Sequence, residues 1–155
     1  MSRAALALPS LESWSVLGGR LQLAESITDL EEFDVLACGT VAADRALRVA
    51  LEQSARVHAL VLAAAEPPQY EGLAKRMSEL KAPVLTLFGT RDPTVPPAIG
   101  RRWRALLPGC HIVFIYDAGS DIAGDRPEAF AEVVLDFLAD PGAFLVNRAS
   151  GVRQP

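Results

Sequence analysis

The sequence predicts an α/β domain: a parallel sheet of about four to six strands flanked by helices. Three observations predict it. Half of the 155 residues are hydrophobic and 22% are charged, the composition of a chain that builds a core. From Asp34 onward, apolar runs of strand length alternate with longer segments of helical period. Those runs are apolar nearly throughout, as strands covered on both faces must be. A domain of this length buries roughly 68–70% of its unfolded surface, so it needs neither metal nor disulfide to hold it together.

The first 33 residues are the least defined. Gly18-Gly19, between the segments 14–17 and 20–23, suggests a hairpin turn, and Leu23, Ile27 and Leu30 suggest a helix up to Phe33. Arg3 and the apolar stretch 4–8 faintly imitate a leader peptide, but Pro9 ends that stretch below the usual minimum of about 7 residues. No apolar run approaches the roughly 20 residues needed to cross a bilayer, so a cytoplasmic location without a membrane partner is expected.

Strands are predicted at 35–38, 57–64, 84–88 and 112–116. Between the first two, Ala43, Ala46, Leu47, Ala50 and Leu51 recur at helical spacing while Arg45, Arg48 and Glu52 fall on the other face, marking a crossover helix. The link 66–83 has room for one helix, with Tyr70, Leu73, Met77 and Leu80 in register. Another follows Pro97, turning Ile99, Trp103, Leu106 and Leu107 inward and stopping at Pro108-Gly109. The last opens at Pro127, where the missing N–H costs nothing, and carries Phe130, Val133, Val134, Phe137 and Leu138 on one stripe. From Pro141 an irregular tail docks through Phe144, Leu145 and Val146. The whole of 1–155 reads as a single domain.

Fifteen basic and nineteen acidic side chains leave a net charge of −4, which offers polyphosphate no grip and excludes nucleic acid as a partner. Cys38 and Cys110 fall at opposite sheet edges, too far apart for a disulfide. Asp117, Asp121 and Asp125 form an acidic trio, but Gly119 and Gly124 interrupt it and no calcium-loop spacing is met, so no metal and no cofactor is expected.

The segment from Asp34 to Leu62 reads strand, sharp turn, helix, strand, with the turn at Cys38-Gly39-Thr40-Val41-Ala42. Downstream come Ala82-Pro83-Val84-Leu85-Thr86-Leu87-Phe88-Gly89-Thr90-Arg91-Asp92 and Asp117-Ala118-Gly119-Ser120-Asp121, the latter followed by Arg126-Pro127-Glu128-Ala129-Phe130. In this order the three segments resemble the α/β-hydrolase family: its nucleophile elbow G-x-S-x-G, the strand ending in its triad acid, and its histidine loop. The resemblance covers about residues 34–139. It implies a site at Thr40, Asp92 and Ser120, with the Val41 N–H as one oxyanion donor.

Two of the three triad positions depart in chemistry. Thr40 stands for the serine, Ser120 for the histidine, and only Asp92 keeps its type. A threonine hydroxyl is inert without a base in reach. The two histidines, His58 and His111, begin predicted strands, about 15 Å from the strand ends at ~3.3 Å per residue. Asp92 and Asp121 both belong to the carboxyl edge, where like-charge repulsion could raise the pKa of one and fit the pair for acid–base work. The expected function is therefore a hydrolase-like protein without the standard serine and histidine, serving as a binding or partner module. The alternative is a small hydrolase of ester-like bonds using Thr40 or a water activated by Asp92 and Asp121. In the family the elbow strand pairs with an earlier strand. An apolar edge at 35–38 without that neighbour needs cover, from the N-terminal residues or from another subunit, and a homodimer or a heteromeric protein partner is expected. A small-molecule ligand stays open.

Overall fold

The computed structural model describes residues 4–96 and 98–144. Its sheet contains six parallel strands: β1 (Ala4–Leu8), β2 (Gln22–Ala24), β3 (Phe33–Cys38), β4 (Val57–Ala63), β5 (Val84–Gly89) and β6 (His111–Ile115). They lie in the order β2-β1-β3-β4-β5-β6, so the chain winds one way from β1 to β2 and the other way from β3 onward. Both faces are covered. Helices α1 (Thr40–Glu52), α2 (Glu71–Lys75) and α3 (Ile99–Leu106) supply one core, in which Leu47, Leu73, Ile99 and Trp103 meet Val35, Leu60, Leu62 and Phe88. The one-turn α4 (Ile122–Asp125) and α5 (Pro127–Ala139) supply the other, in which Ile122, Phe130, Val134 and Phe137 meet Leu36, Val61, Leu85 and Val113. The alternation of strand residues between these two sets is the period of two that makes continuous apolar strands necessary.

From Asp34 on, the elements lie where the sequence places them, with strand ends moved by one or two residues. The N-terminal segment before Asp34 differs. No hairpin forms at Gly18-Gly19: residues Glu12–Leu17 make a 3₁₀ helix, and Gly18 donates its N–H to Ser15 O. The reason is tertiary, since Trp14 and Leu17 are fully buried and the Trp14 ring packs on Phe130 at 5.4 Å. The flanking strands then pair in parallel, Leu6 opposite Ala24 and Ala7 opposite Leu36, which no tight turn permits. The stretch resembling a leader is β1, a strand inside the sheet. No helix of the described residues is long and apolar enough to cross a membrane.

The helix expected over Leu23, Ile27 and Leu30 is absent as well. Leu23 is in β2, and the chain then runs irregularly to Phe33 with Ile27 and Leu30 packed on the core. Arg56 replaces the missing helical bonds: its guanidinium donates to the carbonyls of Ile27, Leu30 and Glu31, is braced by Gln53, and lies over the Phe33 ring. A charged fork from a distant helix end thus satisfies backbone that its own segment leaves open.

Two further differences are smaller. The link after β4 divides into α2 and a 3₁₀ turn at Arg76–Glu79, which still buries Leu73 and Met77. Residues 141–144 are helical rather than irregular, and Phe144 is buried edge-on against His111 and Phe137. Leu145 and Val146 lie outside the described residues. Because β1 covers β3, the edge that called for a partner is interior, and the open edge on that side is the three-residue β2.

Candidate functional site

The winding reversal places a crevice beyond the carboxyl ends of β1 and β3, where open parallel sheets form their sites. At the end of β3 the turn is made by Gly39, with φ of 90°, a conformation a residue without Cβ adopts at no steric cost. Thr40 is the first residue of α1, and the backbone N–H of Glu66 donates to its Oγ1 at 3.1 Å. The positive φ therefore falls on Gly39 and not on Thr40. This relaxed turn suits a β-branched residue, which would pay heavily to carry positive φ itself. Val41 follows, 79% exposed.

Asp92 ends the loop after β5 and is buried. Its Oδ1 accepts from Thr94 N at 2.9 Å and Thr94 Oγ1 at 2.7 Å, closing a turn around Pro93. Its Oδ2 is buried with no hydrogen-bond partner. The loop after β6 is braced by its own acids. Asp117 pairs with Arg91 at 3.0 Å, Asp121 caps α4 by accepting from Gly124 N at 3.0 Å, and Asp125 accepts from Gly119 N at 2.8 Å. Each member of the trio has a structural job, and no group of metal-binding side chains occurs among the described residues.

Ser120 and Asp121 meet Cys38 and Ser13 around a cavity of about 100 Å³ that is closed by Trp14, Ala63, Ile122, Ala123 and Phe130. Burial, and then the negative charge of Asp121, push the Cys38 thiol above its ordinary pKa, so it stays protonated and a poor nucleophile. Thr40 and Asp92 do not line this cavity, and Asp92 and Asp121 are bound to separate partners. His58 sits at the start of β4 against Asp34, 3.3 Å away, and His111 opens β6 beside Phe137. Both are at the amino edge, as their positions in the sequence imply. The residues that sequence reasoning passes over are Ser10, Ser13 and Trp14 on the segment after β1. The signal for them was there: an apolar run of strand length ending at Pro9-Ser10, which reads equally well as strand and turn.

One group near the site carries a pH signature. Asp44 lies on α1 one turn beyond Thr40, with a carboxylate oxygen buried and unpartnered. Burial raises its pKa more than the neighbouring Arg48 lowers it. A raised folded pKa means the ionised form is disfavoured by folding, so the penalty is absent in acid and grows as pH rises through that pKa. Asp44→Asn is expected to stabilise the protein at pH 7 by no more than about 1 kcal/mol, read as a rise in its thermal midpoint. The gain should vanish in scans taken below the ordinary carboxylate range. A variant that is less stable at pH 7 would contradict this.

No family model matches the chain. A stretch of 77 residues is 32% identical to the 2-hydroxy-6-oxononadienedioate/2-hydroxy-6-oxononatrienedioate hydrolase of Escherichia coli K12, covering 50% of this chain and 27% of that protein. The match thus spans about a quarter of the curated relative's length. Among solved structures, an enol-lactonase from Burkholderia xenovorans LB400 superposes with a TM-score of 0.69 at 14% identity, covering 90% of this chain and 92% of that one. A carboxylesterase from Bacillus subtilis gives 0.70 at 12%, over 88% and 84% of the two chains. A meta-cleavage product hydrolase gives 0.73 at 11%, over 90% and 92%. The chain has the α/β-hydrolase fold.

Proposed function

We propose that this chain is a hydrolase-like protein without serine-triad catalysis, working as a binding module through the crevice at the ends of β1 and β3. The observation that carries this reading is the environment of the Thr40 hydroxyl. Its one partner in the hydrogen-bond network of the described residues is a backbone N–H, which donates to the oxygen and accepts no proton. Ser120 occupies the position of the family's histidine, and the buried Oδ2 of Asp92 is an acid oxygen with no imidazole to orient. In a serine protease, removing the base alone costs on the order of 10⁶ in turnover. The purified chain is therefore expected to hydrolyse p-nitrophenyl acetate and butyrate no faster than buffer. Turnover that disappears in Thr40→Ala would overturn the proposal.

The unpartnered Asp92 oxygen favours one second reading, a weak hydrolase in which this carboxylate activates water. It predicts ester turnover that rises as a carboxylate ionises and is lost in Asp92→Asn. Equal rates in that variant and the parent chain would sink it.

A further inference from the structure

The sheet has two open edges, and they are built differently. On one side β2 is three residues long and lies between the exposed, charged Arg20 and Glu25, a short and polar edge of the kind that resists further pairing. On the other side β6 runs His111-Ile112-Val113-Phe114-Ile115, so neither an acid, a lysine nor a proline blunts it. Its pairing with β5 is unbroken from Leu85 opposite His111 to Gly89 opposite Ile115, and no bulge twists it away. Beyond it no strand follows among the described residues.

The direction of its backbone groups follows from that pairing. Thr90 N donates to Ile115 O, so the N–H and C=O of Ile115, and by alternation those of Val113 and His111, face β5. The N–H and C=O of Ile112 and Phe114 therefore point to the open side, where neither residue makes a backbone bond among the described residues. Their side chains are half-buried. Phe114 rests on Phe88 at 5.5 Å, and α3 lies so close to Ile112 that a Cβ on Gly100 would stand 3.3 Å from it. The edge is thus straight, apolar and held in place, with backbone groups ready to take another strand.

A second copy of this chain fits that edge in one register. With the strands antiparallel about a twofold axis at Val113, Ile112 of each copy lies opposite Phe114 of the other, and these are the residues whose N–H and C=O face outward. Each such pair exchanges two N–H···O bonds and sets a β-branched side chain against an aromatic one on the same face, a favourable cross-strand combination. Moving the axis to Ile112 or to Phe114 leaves the other of the two opposite a residue outside β6. We propose that the chain forms a symmetric homodimer by antiparallel pairing of β6 with β6 of a second copy, which joins the two sheets into one. The contact is small against the roughly 1,200 Å² that stable complexes bury, so the dimer is a weak one. It goes beyond the reading of the Thr40 site and does not depend on it.

Sedimentation velocity of the full chain from micromolar to near-millimolar concentration, with residue-resolved amide exchange at both ends of the range, tests the proposal. Mass-action dimerisation is expected. The Ile112 and Phe114 amides should slow several-fold at high concentration, while those of Val113 and Ile115, already bonded to β5, stay constant. Ile112→Pro removes an outward N–H that the fold does not use, a change an edge strand tolerates, and should weaken the dimer about tenfold or more. Ile112→Lys keeps that N–H but sets a charge opposite Phe114, and should have the same effect if the proline variant does not fold. A monomer throughout the range, a dimer in which neither amide responds to concentration, or folded variants that associate as tightly as the parent chain would each overturn the proposal.

Discussion

Gly89→Ala is expected to destabilise the protein by on the order of 3 kcal/mol or more, a large part of the stability of a domain this size. Gly89 ends β5 where the strand passes directly under the loop after β6. A Cβ built there would stand 2.2 Å from Ala118 O and 2.3 Å from Gly119 O. Those are backbone atoms, so no rotamer change relieves the overlap. The loop is also tied to β5 by other bonds: Arg91 N donates to Ala118 O at 2.9 Å, and Asp117 N donates to Thr90 Oγ1 at 2.9 Å. Pushing the loop outward breaks these and displaces Ser120 and Asp121 from the chamber. Urea unfolding monitored by circular dichroism would measure the effect. A midpoint equal to that of the parent chain would show that the close approach of β5 and the loop is wrong.

Trp14→Ala should cost about 3–5 kcal/mol, the range for truncating a buried aromatic side chain. Two losses combine. The ring is fully buried against Phe130, and its deletion opens a cavity beneath the crevice. The indole N–H also serves the carbonyl of Leu8, which ends β1. Trp14→Phe separates the two, since it keeps most of the packing and removes only that hydrogen bond, a loss of about 1–2 kcal/mol. Equilibrium unfolding of both variants should give that order of severity. If the phenylalanine variant is as unstable as the alanine one, the hydrogen bond rather than the packing anchors the segment after β1.

Both predictions concern contacts between segments remote in sequence, and the same distinction separates what was readable from what was not. The strands from β3 to β6 were legible because each is covered on both faces, so a nearly continuous apolar run is the only composition that serves. Helices α1 and α5 were legible because their stripes of Ala42, Ala43, Ala46, Leu47 and of Phe130, Val133, Val134, Phe137 each bury one face. The family's motifs fell in order on this half and placed Thr40, Asp92 and Ser120 at the carboxyl edge.

The N-terminal segment before Asp34 was misread for a physical reason. β1 is five residues of alanine and leucine, side chains with no strong strand preference, and parallel pairing leaves no local turn signal. The irregular path to Phe33 is held by Arg56, whose role appears only when the chain is folded back on itself. The site divides in the same way. By itself the sequence determined an α/β sheet and the strand, sharp turn and helix around Gly39 and Thr40, because residue type and short-range order carry both. Tertiary structure alone decided that β1 completes the sheet, that the turn relaxes onto Gly39, and that Ser13, Cys38, Ser120 and Asp121 enclose one chamber. Those depend on three loops converging at a switch point, and convergence is a property of packing that no stretch of sequence records.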